Sequence, residues 1–267
     1  MPQTIGTAQR EIDTALALHH YEPISLAQMG RVALLNRTDT KYMLSLATLQ
    51  HIMPQLTALY SALVVKGKRL SHYRTLYFDS DDFTLYHWHH AGRLNRYKVR
   101  SREYVDSQLA FLEVKHKTNK GRTIKSRLRT PELTAEIEAE TAEFLHRTYP
   151  FDPTVLEPKL WVEYDRITLV SQFRQERVTI DLNLRFSWED ETLCLPHLVI
   201  IEVKQDRFSA QSDMVKLLRQ NKVHPLGFSK YCMGVSLLYP NIKHNNFKSK
   251  LRLAEKLAQG QSHVYRH

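Results

Sequence analysis

The stretch NRTDTKYML, residues 36–44, places charged side chains at every second position. In an extended strand, Arg37, Asp39 and Lys41 would all point to one face. Arginine offers phosphate a bidentate fork, and lysine offers a compact positive charge. The spacing therefore raises the question of which anion such a face would meet.

Most of the chain's positive charge lies in one window. Residues 93–129 hold twelve Lys or Arg side chains against Glu103, Asp106 and Glu113, while the whole chain of 267 residues has a formal charge of +10. Alternation predicts three neighbouring strands here, each with one charged face. The charged faces are Arg96, Lys98, Arg100 and Arg102; then Glu113, Lys115 and Lys117; then Lys125, Arg127 and Arg129.

The same alternation returns later in the chain. RVTIDLNLRF sets Arg177, Asp181 and Arg185 against apolar neighbours, and HLVIIEVK does so with Glu202 and Lys204. Each of these faces also fits the solvated side of an antiparallel sheet. A solvated face usually mixes both signs, however, whereas the 96–102 face is entirely cationic and needs an anion to be stable.

Composition limits the class of protein. Hydrophobic residues make up 42% and the chain has only eight glycines, which predicts one globular domain over residues 1–267 with its core at about 20–240. Cys194 and Cys232 lack zinc-site spacing and favour a reducing compartment. No signal peptide or membrane-spanning stretch is evident, so we expect a soluble, cytoplasmic protein.

The elements that must position these residues follow from the same patterns. We expect helices over 24–36, after Ser45, from Thr130-Pro131-Glu132 onward, after Ser209 and over 229–238, and strands elsewhere, including FTLYHWH at 83–89. The fold class predicted is α+β, a closed antiparallel β-barrel of about eight strands with packed helices.

Closure would turn the charged faces inward and the apolar faces outward against the helices. Two unit charges about 4 Å apart repel by roughly 4 kcal/mol at an effective dielectric of 20, so such an interior needs a strongly anionic ligand.

Six stretches in this order resemble a known family: NRTDTKYML, TLYFDS, YKVRSREY, FLEVKHK, VIIEVK and GFSKYCMG. They look like the polyphosphate polymerase (VTC) domain of the vacuolar transporter chaperone family, in its stand-alone bacterial form, over roughly residues 20–240. That family belongs to the triphosphate tunnel metalloenzymes, which enclose a basic channel for triphosphate and a divalent metal. The resemblance implies ATP or another nucleoside triphosphate and polyphosphate as ligands, with no nucleic acid expected.

The resemblance also assigns roles to residues. Lys41, Arg100, Arg102, Lys115 and Arg166 would contact the reacting phosphates, and Glu202, helped by Glu113, would hold Mn²⁺ or Mg²⁺. Secondary phosphate contacts would come from Lys98, Lys117, Lys125, Arg127, Lys204 and, at the tunnel wall, Lys230.

The chain departs from the wider superfamily in one motif. The superfamily opens with Glu-x-Glu-x-Lys, whereas Arg37 and Asp39 precede Lys41 here, which fits the polymerase branch better than the triphosphatase branch. The membrane domain of the eukaryotic relatives has no counterpart in this sequence, so any membrane coupling needs a separate partner protein.

Three classes of function remain open: a polyphosphate polymerase, a hydrolase of triphosphate or nucleoside triphosphates, and a non-enzymatic binder of polyphosphate or nucleic acid. Among further candidate sites, the histidines of HWHH favour a strand surface over a metal site, and Asp79, Asp81 and Asp82 favour a tight turn. Asp181 fits a metal ligand or a partner of Arg166 or Arg177 equally well.

Overall fold

The structure, a computed structural model, describes residues 12, 14–30, 38–258 and 264–266. This part of the chain forms a mixed α+β fold with seven α-helices and one large sheet. The helices are α1 Leu26–Gly30, α2 Leu46–Ile52, α3 Thr84–His90, α4 Ala139–Thr148, α5 Asp213–Gln220, α6 Lys230–Leu238 and α7 Lys248–Ala258. The strands are β1 Glu22–Ile24, β2 Thr38–Ser45, β3 Tyr60–Leu63, β4 Leu70–Asp79, β5 Arg96–Tyr104, β6 Leu109–Lys117, β7 Thr123–Thr130, β8 Glu157–Ser171, β9 Glu176–Trp188, β10 Glu191–Leu195, β11 Leu198–Gln205 and β12 Val264–Arg266.

Eight strands form the main path of the sheet, in the order β2-β11-β9-β8-β4-β5-β6-β7, and every neighbouring pair is antiparallel. The short strands β10 and β12 extend from β9, while β3 and β1 extend from β8. In the described part of the chain β2 and β7 do not pair, so the expected closure of the barrel is not confirmed.

The apolar faces of the strands pack outward against helices, as the alternation predicts. On one side, Tyr42 of β2 and Ile201 of β11 belong to a core that includes Leu49 of α2 and Val215 of α5. On another, Val99 of β5 lies in a core with residues of β6 and α4. These cores use every second residue of each strand. The residues between them, which include the charged ones, therefore face the concave side of the sheet.

Helix α6 lies on the concave side. Ser229 caps its first turn, accepting a hydrogen bond from Cys232 N at 3.2 Å. Gly234 makes the close approach possible, since a Cβ there would come within 2.5 Å of Leu160 and 2.6 Å of Phe186. The start of α6 lies beside the charged strands, since Lys98 Nζ of β5 donates to Ser229 Oγ at 2.9 Å.

Several predicted elements differ in the structure. Residues 84–90 form helix α3, not a strand, because the buried Asp79 carboxylate accepts hydrogen bonds from Leu85 N and Tyr86 N, each at 2.8 Å. Helix α4 begins at Ala139 and not near Pro131, and in the intervening segment Thr134 N donates to Ser101 Oγ of β5 at 2.9 Å.

Two further predicted helices have different bounds. The cap of α5 is Ser212 and not Ser209. The helix expected over 24–36 is described only as α1, and residues 31–37, with Arg37, lie outside the described residues.

None of the helices in the described residues is both long and apolar enough to cross a membrane. Cys194 and Cys232 are free thiols.

Candidate functional site

A cavity of about 1180 Å³ lies between the two ends of the main sheet path. Strands β2 and β11 line it from one end of the path, and β5, β6 and β7 line it from the other. Among its described lining residues are three carboxylates, Asp39, Glu202 and Asp206, and eight cationic side chains. These cations are Lys41, Arg96, Lys98, Lys115, Lys117, Arg122, Lys125 and Lys250.

Register places three of these lysines side by side. Lys98 of β5 lies opposite Lys115 of β6, and Lys115 lies opposite Lys125 of β7. Like charges directly opposite each other destabilise a sheet. Burial, together with Lys98, Lys41 and Lys125, lowers the pKa of Lys115 to about 6. The neighbouring lysines therefore disfavour the protonated form of Lys115, and an anion bound beside it would favour that form.

Across the cavity, Glu202 of β11 sits between two cations. It is paired in register with Lys41 of β2, whose Nζ lies 3.8 Å from Glu202 Oε1, and it forms a second ion pair with Lys204. Burial opposes ionisation of Glu202, but Lys204 and Lys41 outweigh it and hold its pKa well below the usual range. Burial lowers the pKa of Lys204 to about 8 despite the attraction of Glu202. A charged carboxylate thus faces the cavity at its cationic edge.

Residues 225–229, which we call the crossing segment, bridge the gap between the two ends of the sheet. Leu226 N donates to Lys41 O at 2.7 Å, and Lys41 Nζ donates to Phe228 O at 3.0 Å. On the other side, Lys98 Nζ donates to Ser229 Oγ at 2.9 Å. Two cavity lysines from opposite ends of the sheet path therefore hold the segment in place.

Further along the same face, an arginine is fixed by a carboxylate. Arg100 of β5 donates to Glu113 Oε2 of β6 from Nε at 2.6 Å and Nη2 at 2.5 Å, and to Tyr77 OH from Nη1 at 3.3 Å. Burial would raise the pKa of Tyr77, yet Arg100, Arg102 and Lys98 lower it to about 8. The Arg100 fork is oriented before any ligand binds.

A second arginine is held in the same way. Arg166 of β8 donates to both oxygens of Asp181 of β9, from Nε at 2.6 Å and Nη2 at 2.8 Å, and Lys230 of α6 also contacts Asp181. These cations keep the pKa of Asp181 well below its usual range although burial opposes ionisation. Of the two readings of Asp181, the geometry favours the partner of Arg166.

Arg102 occupies a buried position beside this pair. Its Nε donates to Thr75 Oγ1 at 3.1 Å, and its guanidinium lies 5.8 Å from the ring centroid of Tyr164, a ring that Arg166 and Lys230 also approach, at 5.2 and 4.3 Å. Tyr164 OH is buried and has no hydrogen-bond partner among the described residues.

The residues singled out from the sequence therefore separate into two sets. Those that line the cavity are Lys41, Lys98, Lys115, Lys117, Lys125 and Glu202. Outside the lining set are Arg100, Arg102, Arg127, Arg166, Lys204, Lys230 and Glu113. Within the second set Arg127 is exposed on β7, with its guanidinium 5.0 Å from the ring centroid of Phe111.

Some cavity residues were missed by the sequence reasoning. His89 lines the cavity from α3, and the surrounding segment was predicted to be a strand. Burial and the cations Lys98 and Arg96 lower the pKa of His89 far below its ordinary value. Lys250 comes from α7, which the sequence patterns did not predict. Arg96 shares the alternation of Lys98, so its signal was present in the sequence.

The donor set limits how a metal could bind. Within the described ranges, no group of three or more His, Cys, Asp and Glu side chains is arranged to hold a metal ion. Mg²⁺ commonly takes one or two carboxylates and completes its shell with phosphate oxygens and water. Glu202 fits that limited role, whereas Glu113 is already engaged by two nitrogens of Arg100.

Comparison with known proteins gives one family match. The model of the VTC domain matches residues 36–239. No curated protein matches the sequence.

Three solved structures are similar to this chain at low identity. One is a putative adenylyl cyclase, HpAC1 from Hippeastrum, described as having a dominant triphosphatase activity; it is 16% identical, with 76% of this chain and 97% of that chain covered and a TM-score of 0.48. A putative adenylate cyclase from Vibrio parahaemolyticus is 11% identical, covering 74% and 97%, with a TM-score of 0.43. The Pct1 RNA triphosphatase of S. pombe is 10% identical, covering 96% and 94%, with a TM-score of 0.28. Likeness at this level says nothing about the activity of this chain.

Proposed function

Because the chain belongs to the VTC domain family, we propose that it is a metal-dependent phosphotransferase that adds the γ-phosphate of a nucleoside triphosphate to inorganic polyphosphate. The observation that carries this proposal is the cavity, where eight cationic side chains face three carboxylates among the described lining residues. A condensed phosphate is the kind of ligand that would neutralise such a lining.

The arrangement suits phosphoryl transfer in particular. The transferred group passes through a loose transition state, so catalysis depends mainly on positioning and on charge stabilisation. Lys41, Lys98 and Lys115 would supply point charges at the cavity wall. Arg100 and Arg166, each oriented by a carboxylate, offer pre-set guanidinium groups further along the same face.

The transfer step needs no nucleophile from the protein. A terminal oxygen of the polyphosphate chain attacks the γ-phosphorus, and the bond from that phosphorus to the β–γ bridging oxygen breaks. The products are a chain longer by one phosphate and a nucleoside diphosphate, whose new terminal oxygen carries the leaving charge. The lysines and arginines of the site would stabilise this charge as it develops.

Glu202 is the side chain we propose to hold the divalent ion, together with oxygens of the substrate. When bound, Mn²⁺ or Mg²⁺ would neutralise charge on the phosphate oxygens. The contacts of Glu113 favour orientation of Arg100 as its role, and those of Asp181 favour orientation of Arg166.

Hydrolysis is the second candidate, because the same cationic lining would bind a triphosphate whether polyphosphate or water supplies the attacking oxygen. Water would then replace the polyphosphate oxygen as the attacking group. The assignment of polyphosphate as acceptor comes from the resemblance to the polymerase branch.

Incubation of the full chain with ATP and Mn²⁺, followed by gel electrophoresis and staining for polyphosphate, tests the proposal. We expect a ladder that is lost in Lys115→Met and kept in Lys216→Met. Lys216 is the matched control because it lies on α5, is 45% exposed and does not line the cavity. Release of phosphate without a ladder would instead establish a hydrolase. If neither a ladder nor free phosphate forms but the protein still binds polyphosphate, the chain would be a non-enzymatic binding protein.

A further inference from the structure

The cavity has a second wall of different character. Besides the cationic strands, the crossing segment, helices α6 and α7 and the short turn before α7 contribute apolar lining. These residues are Pro225, Leu226, Phe228, Met233, Phe247 and Leu251. Inorganic phosphate gains nothing from such a surface. Apolar walls with a few placed polar groups are instead typical of sites for organic ligands.

Phe247 is held firmly at this wall. It ends the short turn before α7, and its half-buried ring packs edge-on against Tyr86 and His90 of α3, with centroid distances of 6.0 and 5.3 Å. The preceding residue is fixed to the same histidine, since Asn246 N donates to His90 Nε2 at 3.2 Å and Asn246 Nδ2 donates to His90 O at 2.9 Å. Tyr86 OH donates to Lys243 O at 3.0 Å. The ring is therefore preorganised by its supports.

Phe228 joins the apolar wall to the cationic one. Its carbonyl accepts the hydrogen bond from Lys41 Nζ, and Lys41 O accepts from Leu226 N in the same segment. The aromatic ring of Phe228 thus belongs to the same residue whose carbonyl binds Lys41, a lysine that we assign to phosphate binding. A molecule with an anionic end and a flat apolar end would satisfy both walls.

We propose that Phe247, with Phe228, forms the seat for the base of the nucleoside triphosphate while its triphosphate lies on the lysines. The inference rests on the proposed function and goes further by dividing the cavity into a phosphate part and a base part. Stacking on aromatic rings tolerates every base, because each base has a π-face. The seat therefore accepts ATP, GTP and UTP with only small differences, purines binding somewhat more tightly.

Calorimetric titrations without divalent metal test the division of the cavity. Inorganic triphosphate, ATP, GTP and UTP are titrated into the unchanged full chain and into Phe247→Leu, which keeps apolar packing against Tyr86 and His90 but removes the ring. Phe173→Leu is the matched control, since Phe173 is 71% exposed at the β8–β9 turn and does not line the cavity. We expect Phe247→Leu to lower the affinity for ATP and GTP by about fivefold or more. Its affinity for inorganic triphosphate should fall by less than about twofold.

Each other outcome overturns the inference. Equal weakening of triphosphate and ATP would mean that Phe247 only supports the fold of the cavity. Unchanged affinity for all ligands in Phe247→Leu would mean that the base lies elsewhere. If the unchanged protein binds neither triphosphate nor nucleotide, the proposed function fails as well, so the two failures are distinguished by the triphosphate titration of the unchanged chain.

Discussion

Lys115 faces three other lysines, and its burial together with their charges lowers its pKa to about 6. At pH 8 these surroundings favour its neutral form. A bound polyanion favours the charged form and raises this pKa. Binding at pH 8 should therefore be accompanied by proton uptake, in the direction opposite to the release expected for a group whose pKa falls.

We predict that triphosphate binding at pH 8 takes up about one proton through Lys115, with a smaller part from Lys204, whose pKa is lowered to about 8. Calorimetry in two buffers with different ionisation enthalpies measures the uptake. Lys115→Met should reduce it by most of one proton. The same uptake in both proteins would show that Lys115 is already charged in the free protein.

Glu202 provides a second prediction at the residue scale. Glu202→Gln removes a negative charge from the cationic edge and the carboxylate proposed for the metal. Metal-dependent turnover should fall by about a hundredfold. Mutation of a residue that hydrogen-bonds a metal ligand already lowers metal affinity or activity by about 10–100-fold, and loss of the ligand itself should lower them at least as much. Binding of triphosphate without metal should be kept or become tighter. Steady-state rates together with metal-free titrations measure both, and full activity in the variant would refute the metal assignment.

At the scale of elements, strand alternation located the charged strands, and helix starts were predicted with mixed success. The starts at Ser45 and Ser229 are confirmed, whereas those at Pro131 and Ser209 are wrong. The charged strands β5, β6 and β7 appear where the period of two predicts them, because that pattern is local to each strand. The sequence analysis missed helix α3, because its first turn depends on Asp79, a buried acceptor at the end of β4 that lies six residues before Leu85 and was assigned to a tight turn. For this reason His89 was assigned to a strand surface although it lines the cavity.

Helix α6 carries the prediction at this scale. Gly234→Ala places a Cβ 2.5–2.6 Å from Leu160 and Phe186, closer than real contacts allow. We expect a loss of about 1–3 kcal/mol in the free energy of unfolding, measured by urea denaturation. Gly227→Ala is the control, because its Cβ would meet only Lys250 Nζ, at 3.9 Å. Equal stability of the two variants would mean that α6 packs less closely than the structure indicates.

At the scale of the whole molecule, the sheet brings strands distant in sequence around one cavity. The charged faces of β2 and β11 line the same cavity as those of β5, β6 and β7. They do so only because the sheet curves through the intervening strands β9, β8 and β4. Periodicity could identify Lys41, Lys115 and Glu202 as members of charged faces. It left Asp181 open between a metal ligand and a partner of Arg166 or Arg177. It could not show that Arg100 would be tied to Glu113, or that the crossing segment would bridge the gap, since those contacts depend on register and curvature.

The binding of inorganic triphosphate tests most directly whether the cavity is a site for condensed phosphate. Titration into the unchanged protein should give saturable binding to one site. Lys41→Met and Lys115→Met should each weaken it by about tenfold or more, as expected for loss of a charge-assisted contact, while Lys216→Met should have no effect. Equal affinity in all four proteins would contradict the account, because the triphosphate would then be binding outside the cavity.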